Sequence, residues 1–79
     1  MRLLNQDNDS TVQRLLLLLT QSEAVELKDS LELLLADSAG RHEHISSDDY
    51  QKEITIAIYA PNSLESFDSR SRTLITTDQ

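Results

Sequence analysis

His42 and His44 stand two residues apart and are the side chains of this sequence best suited to chemistry. Residues two apart on a β-strand project from the same face, so the two imidazoles would lie side by side. Glu53, on the following predicted strand, would bring a carboxylate to that face. Imidazole and carboxylate groups together are typical ligands of zinc and nickel. One interpretation is therefore a divalent metal site (zinc or nickel) made of His42, His44 and Glu53.

The other interpretation of this segment is the polar surface of a small sheet. Acidic residues occur throughout the chain, with 14 Asp and Glu against 7 Lys and Arg, and no second group of candidate ligands stands elsewhere. Arg41 would then form surface ion pairs with the acidic residues of a turn at 46–49. On this interpretation the protein needs no cofactor.

Catalysis by these residues is less favoured. A serine nucleophile needs a sharp turn and an oxyanion hole of backbone amides, and the single glycine, Gly40, frames no such turn. General acid–base chemistry by His44 with Asp48 or Glu53 stays open. A chain of 79 residues, however, has little volume for a pocket that excludes water. The sequence therefore favours a non-enzymatic protein.

The composition narrows the class of partner. A net charge of −7 disfavours nucleic acid phosphates and anionic membranes, because both attract a cationic surface. The leucine run at 15–19 is too short to span a bilayer, and the absence of cysteine agrees with a reducing compartment. We therefore expect a cytoplasmic protein with a protein partner.

The elements that position these residues begin with a helix at 21–38. Thr20 and Glu23 have the spacing of a capping box, which predicts a helix start at residue 20 or 21. Gly40 stands where a helix favours a left-handed end. Apolar residues recur at three- and four-residue steps and predict one buried stripe: Ala24, Leu27, Leu31, Leu34 and Leu35.

The leucine run just before this helix carries no periodicity, so strand and helix are hard to separate. The capping box directly after it favours a strand at 12–19, and a helix continuous with 21–38 is the alternative. Such a strand would be apolar on both faces, and strands of that kind are normally covered on both sides.

The remaining segments complete an α+β prediction. Residues 41–46 and 51–60 alternate as strands around a turn at 46–49, and a last helix would begin at Asn62 or Ser63 and run to residue 75. The sequence predicts a small three-stranded, largely antiparallel sheet with two helices, in the order β-α-β-β-α. Residues 11–75 would form a single domain between a flexible N-terminal tail at 1–10 and a C-terminal tail at 76–79.

Spare apolar and acidic residues on this scaffold predict an interaction surface, although complete burial within the monomer is the alternative. The leading function is a small acidic interaction or regulatory module, such as an adaptor, an inhibitor or an antitoxin-like or immunity-like protein. Its partner would be a basic protein or a second copy. A metal-binding or metal-dependent protein using the His42 and His44 face is the other function considered. The residues assigned to the interaction surface are Leu16, Leu18, Val25, Leu33, Glu26 and Asp29.

Overall fold

The computed structural model describes residues 1–37, 39 and 41–79 and shows a small α+β fold with two helices and two separate two-stranded antiparallel sheets. The chain divides into two compact units, residues 1–17 with 60–79 and residues 18–59. In chain order the elements are β1 (Leu4–Asn5), β2 (Ser10–Thr11), α1 (Gln21–Ala36), β3 (Glu43–Ser46), β4 (Glu53–Ile56) and α2 (Ser69–Thr77).

The predicted three-stranded sheet is wrong. Residues 12–19 form neither a strand nor a helix, β3 pairs with β4 alone, and the second sheet joins β1 to β2 within the first eleven residues. The expected coverage on both sides is also absent, since Leu16 and Leu18 are each 81% exposed. A strand exists only through its hydrogen-bonded partner, and no described strand pairs with this segment.

The start of α1 confirms the capping box. The Thr20 hydroxyl accepts from the Glu23 amide at 3.2 Å, and the Glu23 carboxylate accepts from the Thr20 amide at 2.8 Å. Thr20 has an extended backbone, with φ −68° and ψ 166°. The leucine run therefore cannot continue into α1 as one helix, and that alternative is wrong as well. The helix end predicted at Gly40 lies outside the described residues.

Only part of the predicted stripe of α1 is buried. Leu34 and Ser30 are buried and Leu27 is half-buried, whereas Leu31 and Leu35 are exposed. The hairpin packs against one side of the helix, where β3 contributes the buried Ile45. The apolar stripe of the sequence is thus broader than the surface that the hairpin covers.

The β3–β4 hairpin keeps the predicted alternation with shorter strands than 41–46 and 51–60. His44 pairs with Thr55, and Ile45 pairs with Ile54. The Ser47 hydroxyl accepts from the Lys52 amide at 3.0 Å, so its oxygen caps the turn backbone. A capped turn fixes the register, and the register decides which side chains share a face.

The two ends of the chain form the other unit, in which α2 carries the buried Leu74. This helix begins at Ser69, so the start predicted at Asn62 or Ser63 is wrong. Ser63 instead closes a tight turn, in which its amide donates to the Ala60 carbonyl at 3.0 Å. A second turn follows, in which the Phe67 amide donates to the Leu64 carbonyl at 3.1 Å, so the chain runs through turns before α2 begins.

Candidate functional site

The polar face of the β3–β4 hairpin brings the two histidines together. Their ring centroids lie 5.0 Å apart with the ring planes nearly perpendicular, at 87°. Both side chains are exposed, while Ile45, the residue after His44, is buried on the opposite face. The predicted side-by-side placement of His42 and His44 is therefore confirmed.

Glu53 lies diagonally across the hairpin from His44. Its Oε1 atom is 2.8 Å from His44 Nδ1, and Thr55 Oγ1 is hydrogen-bonded to the same nitrogen at 3.0 Å. A carboxylate oxygen can only accept, so the contact favours a proton on Nδ1. In the neutral imidazole this arrangement leaves the lone pair on Nε2, which is the atom able to bind a metal.

The three predicted metal residues thus lie close together, but not as three ligands around one point. In the part of the chain that the structure describes, no three His, Asp or Glu side chains are arranged to hold one metal ion. The Glu53 carboxylate contacts His44 itself. Its chemical role in this arrangement is to orient an imidazole, as carboxylates commonly do beside metal-binding histidines.

Asp48 connects the β3–β4 turn to the first turn of α1, a contact that the sequence analysis missed. Its carboxylate accepts from the Thr20 hydroxyl at 2.7 Å and from the Ser22 hydroxyl at 2.9 Å, and its amide donates to the Glu23 carboxylate at 2.8 Å. Carboxylates are favoured at helix N-termini, where backbone N–H groups are unpaired. The features of the sequence that indicate this contact are the hydroxyl side chains at the start of α1 and the acidic residues of the turn. Asp48 therefore has a structural role.

A second surface is the outer face of α1, defined by Val25, Glu26, Asp29 and Leu33. Val25 is 49% and Leu33 is 52% exposed, and both acidic side chains between them are exposed as well. Leu33 follows Glu26 by seven residues and Asp29 by four, spacings that place all three on one side of a helix. Leu16 and Leu18, also assigned to the interaction surface, are exposed in the irregular segment before α1.

The electrostatics of α1 are strongly acidic. The helix carries Glu23, Glu26, Asp29 and Glu32 against one lysine, Lys28. Lys28 is paired with Glu32 at 3.4 Å and lies 3.8 Å from Asp29. Glu26 makes no ion pair with any described residue. The outer face thus combines apolar side chains with negative charge that is only partly balanced.

Three comparisons with known proteins add no further information. No family model, curated protein or solved structure matches this chain. Within residues 1–37, 39 and 41–79, no helix is both long enough and apolar enough to cross a membrane. The two surfaces described above are therefore the basis for a functional proposal.

Proposed function

We propose that this protein is a small acidic, non-enzymatic interaction module, acting as an adaptor, inhibitor or regulatory partner of a basic protein. The observation that carries the proposal is the outer face of α1, where the exposed Val25 and Leu33 share one side of the helix with Glu26 and Asp29. Apolar side chains supply the area that association buries, and the carboxylates select the sign of the partner. The cytoplasmic location expected from the sequence belongs to the same proposal.

Charge favours a basic partner over a second copy at this face. The chain has a net charge of −7, and a second α1 would bring the same carboxylates into contact. Like charges placed together at an interface cost several kcal/mol, whereas opposite charges speed encounter. A basic segment with apolar residues at helical spacing satisfies both features of the face.

A defined peptide pair tests this proposal. The probe is a fluorescent 14-residue helical peptide of leucine and lysine, compared with its leucine and glutamate counterpart by fluorescence anisotropy. The basic peptide should bind, and binding should weaken as salt rises because the charges are exposed. Leu33→Ser should weaken binding by roughly tenfold, the loss expected for one interface anchor of about 1.4 kcal/mol.

Leu35→Ser is the matched control, since Leu35 is 75% exposed on a different side of α1. It should leave the affinity unchanged. Equal losses in the two serine variants, or equal binding of the acidic peptide, would refute a site on the outer face. Light scattering on the free protein and on Leu33→Ser tests the alternative: a dimer that Leu33→Ser dissociates would identify self-association as the way of covering the face.

The second candidate function is metal binding by His42 and His44, and their ring separation is compatible with it. With metal–nitrogen bonds of about 2.1 Å and an angle of roughly 90–110° at the metal, two imidazole centroids lie roughly 4.5–5.3 Å apart. The observed separation is 5.0 Å. Glu53 would orient His44, and water would complete the coordination.

Thermal melting with added Zn²⁺ or Ni²⁺ tests this candidate, because a ligand that binds only the folded state raises the melting temperature. His44→Ala should abolish the increase, and Glu53→Gln should reduce the metal affinity by about tenfold through loss of orientation. The control is Glu65→Gln, whose carboxylate contacts Ser63 and no histidine. An identical response in the unchanged protein and the His44 variant excludes the site.

A further inference from the structure

The outer edge of β4 is the free side of a two-stranded sheet. The Ser47 amide donates to the Lys52 carbonyl at 2.9 Å, which makes these residues the first bonded pair after the turn. Bonded and non-bonded pairs alternate along an antiparallel ladder. Ile54 and Ile56 therefore direct their backbone N–H and C=O groups towards β3, in the register that the strands adopt.

Glu53 and Thr55 consequently direct their backbone N–H and C=O groups away from β3. Ala57 directly follows β4, and extending the strand by one residue would give its backbone groups the same outward direction. Within the described part of the chain, none of these outward groups has a hydrogen-bond partner. They form a row of donors and acceptors at the strand spacing, which is the template for adding another strand.

This edge carries a single charged side chain, Glu53 at the start of β4. The segment 54–60, ITIAIYA, contains no charged residue in a chain where 14 Asp and Glu and 7 Lys and Arg make up 27% of the sequence. Its isoleucines, tyrosine and threonine are residues that favour strands. Native edge strands are normally blunted by Lys, Pro or inward-pointing charge, and here Pro61 comes only after the neutral segment.

We propose that the outer edge of β4 pairs antiparallel with the same edge of a second copy of this chain. The pairing would form one four-stranded sheet across a two-fold axis. With the axis at Thr55, Ile54 lies opposite Ile56 of the second copy, and Glu53 lies opposite its Ala57. A two-fold contact is self-complementary by construction, and no carboxylate faces a carboxylate in this register.

A second copy fits this edge for two physical reasons. Its β4 is already extended, so pairing orders less chain than the capture of an unfolded segment would. The hairpin has only two strands and one covering helix, so two further strands would enlarge the sheet and its packed face. The inference is independent of the partner proposed for α1, because it uses backbone groups of β4 and none of the outer-face side chains.

Amide hydrogen exchange of the full-length protein tests the pairing, measured by NMR at about 10 µM and about 1 mM protein. Ile54 and Ile56 amides should be protected at both concentrations, because they bond within the hairpin. Thr55 and Ala57 amides should become protected at high concentration, by roughly tenfold or more, while His44 on the outer side of β3 should not. Fast exchange of Thr55 and Ala57 at both concentrations overturns the proposal.

Ala57→Pro supplies the matching variant, since it removes one outward N–H and no bond within the hairpin. Light scattering should show a dimer for the unchanged protein and for Ala57→Gly, which keeps the N–H, and a monomer for Ala57→Pro. Protection of Ile54 verifies that each variant retains the hairpin. A dimer that persists in Ala57→Pro with unprotected Thr55 places self-association elsewhere and refutes pairing through β4.

Discussion

Asp48 bonds the β3–β4 turn to α1 through both its carboxylate and its amide. The Thr20 and Ser22 hydroxyls donate to the carboxylate, and the Glu23 carboxylate accepts from the Asp48 amide. Hydrogen bonds to a charged group are stronger than neutral ones. One residue therefore bonds to three residues that precede it by 25 to 28 positions.

Asp48→Ala should lower the free energy of unfolding by about 1–2 kcal/mol, because it removes charge-assisted hydrogen bonds at an exposed position. Chemical denaturation measures this loss. Glu26→Gln is the control, since Glu26 forms no hydrogen bond or ion pair with any described residue and should change stability little. Equal stability of the two variants would show that the Asp48 contacts contribute nothing in solution.

Asp49 predicts a pH dependence of the turn. Its carboxylate accepts from the Ser47 hydroxyl and the Gln51 amide, which lowers the pKa of Asp49 below its ordinary value of 3.8. A lowered pKa in the folded state means that the stabilisation is complete above the unfolded value and is lost as the pH falls through the lowered pKa. The turn should therefore loosen only below about pH 3.8.

NMR titration of the Gln51 amide checks this prediction, since its shift reports the hydrogen bond to Asp49. The transition midpoint should lie below pH 3.8, and Asp49→Asn should remove it. A midpoint at or above the ordinary value would contradict a hydrogen-bonded carboxylate.

At the scale of elements, only part of the apolar stripe of α1 belongs to the buried core. Leu34 is completely buried against the hairpin, while its neighbour Leu35 is 75% exposed. Adjacent residues of a helix are 100° apart around its axis, so a hairpin that covers only one side of α1 can bury Leu34 and leave Leu35 exposed. Which apolar residues of α1 are buried therefore depends on where the hairpin packs against it.

Leu34→Ala should cost about 2–4 kcal/mol, the loss of a buried leucine with the cavity that it leaves. Leu35→Ala should cost only a few tenths of a kcal/mol, because exposed substitutions change stability little. Urea denaturation of the pair measures the difference. Similar costs at both positions would place the buried side of α1 elsewhere.

At the scale of the whole molecule, the two ends of the chain meet in one unit. The Arg70 guanidinium donates to the Asp9 carboxylate at 2.8 Å, and the Arg2 guanidinium donates to the Ile75 carbonyl at 3.1 Å. These contacts join residues separated by 61 and 73 positions. The N-terminal segment is therefore held by α2 through charged side chains.

Arg70→Gln should increase the amide exchange of Val12, whose N–H donates to the Leu3 carbonyl in the N-terminal hairpin. The expected loss is at most about 1 kcal/mol, since the pair is partly exposed and screened by salt. Arg72→Gln is the control, because Arg72 forms no ion pair with any described residue. Unchanged exchange of Val12 in both variants would show that Arg70 does not hold the hairpin.

Local signals in the sequence predict the start of α1 and the β3–β4 hairpin correctly. The capping box at Thr20 and Glu23 located the start of α1, and the alternation around the turn located β3 and β4 and placed His42 beside His44. These features depend on bonds between residues a few positions apart. The lengths of β3 and β4 and the start of α2 are predicted less accurately. Residues 60–67 form turns, which the helical spacing of their apolar residues does not indicate.

The sequence by itself determined where α1 begins, which residues alternate in the β3–β4 hairpin, and the acidic charge of the chain. Only the tertiary structure decided that the segment 12–19 pairs with no described strand, that Leu34 is buried while Leu35 is exposed, and that Asp48 bonds to α1. Capping and alternation are fixed by neighbours along the chain. Pairing and burial depend on which other element supplies a free edge or a covering surface, and composition and periodicity do not encode that partner.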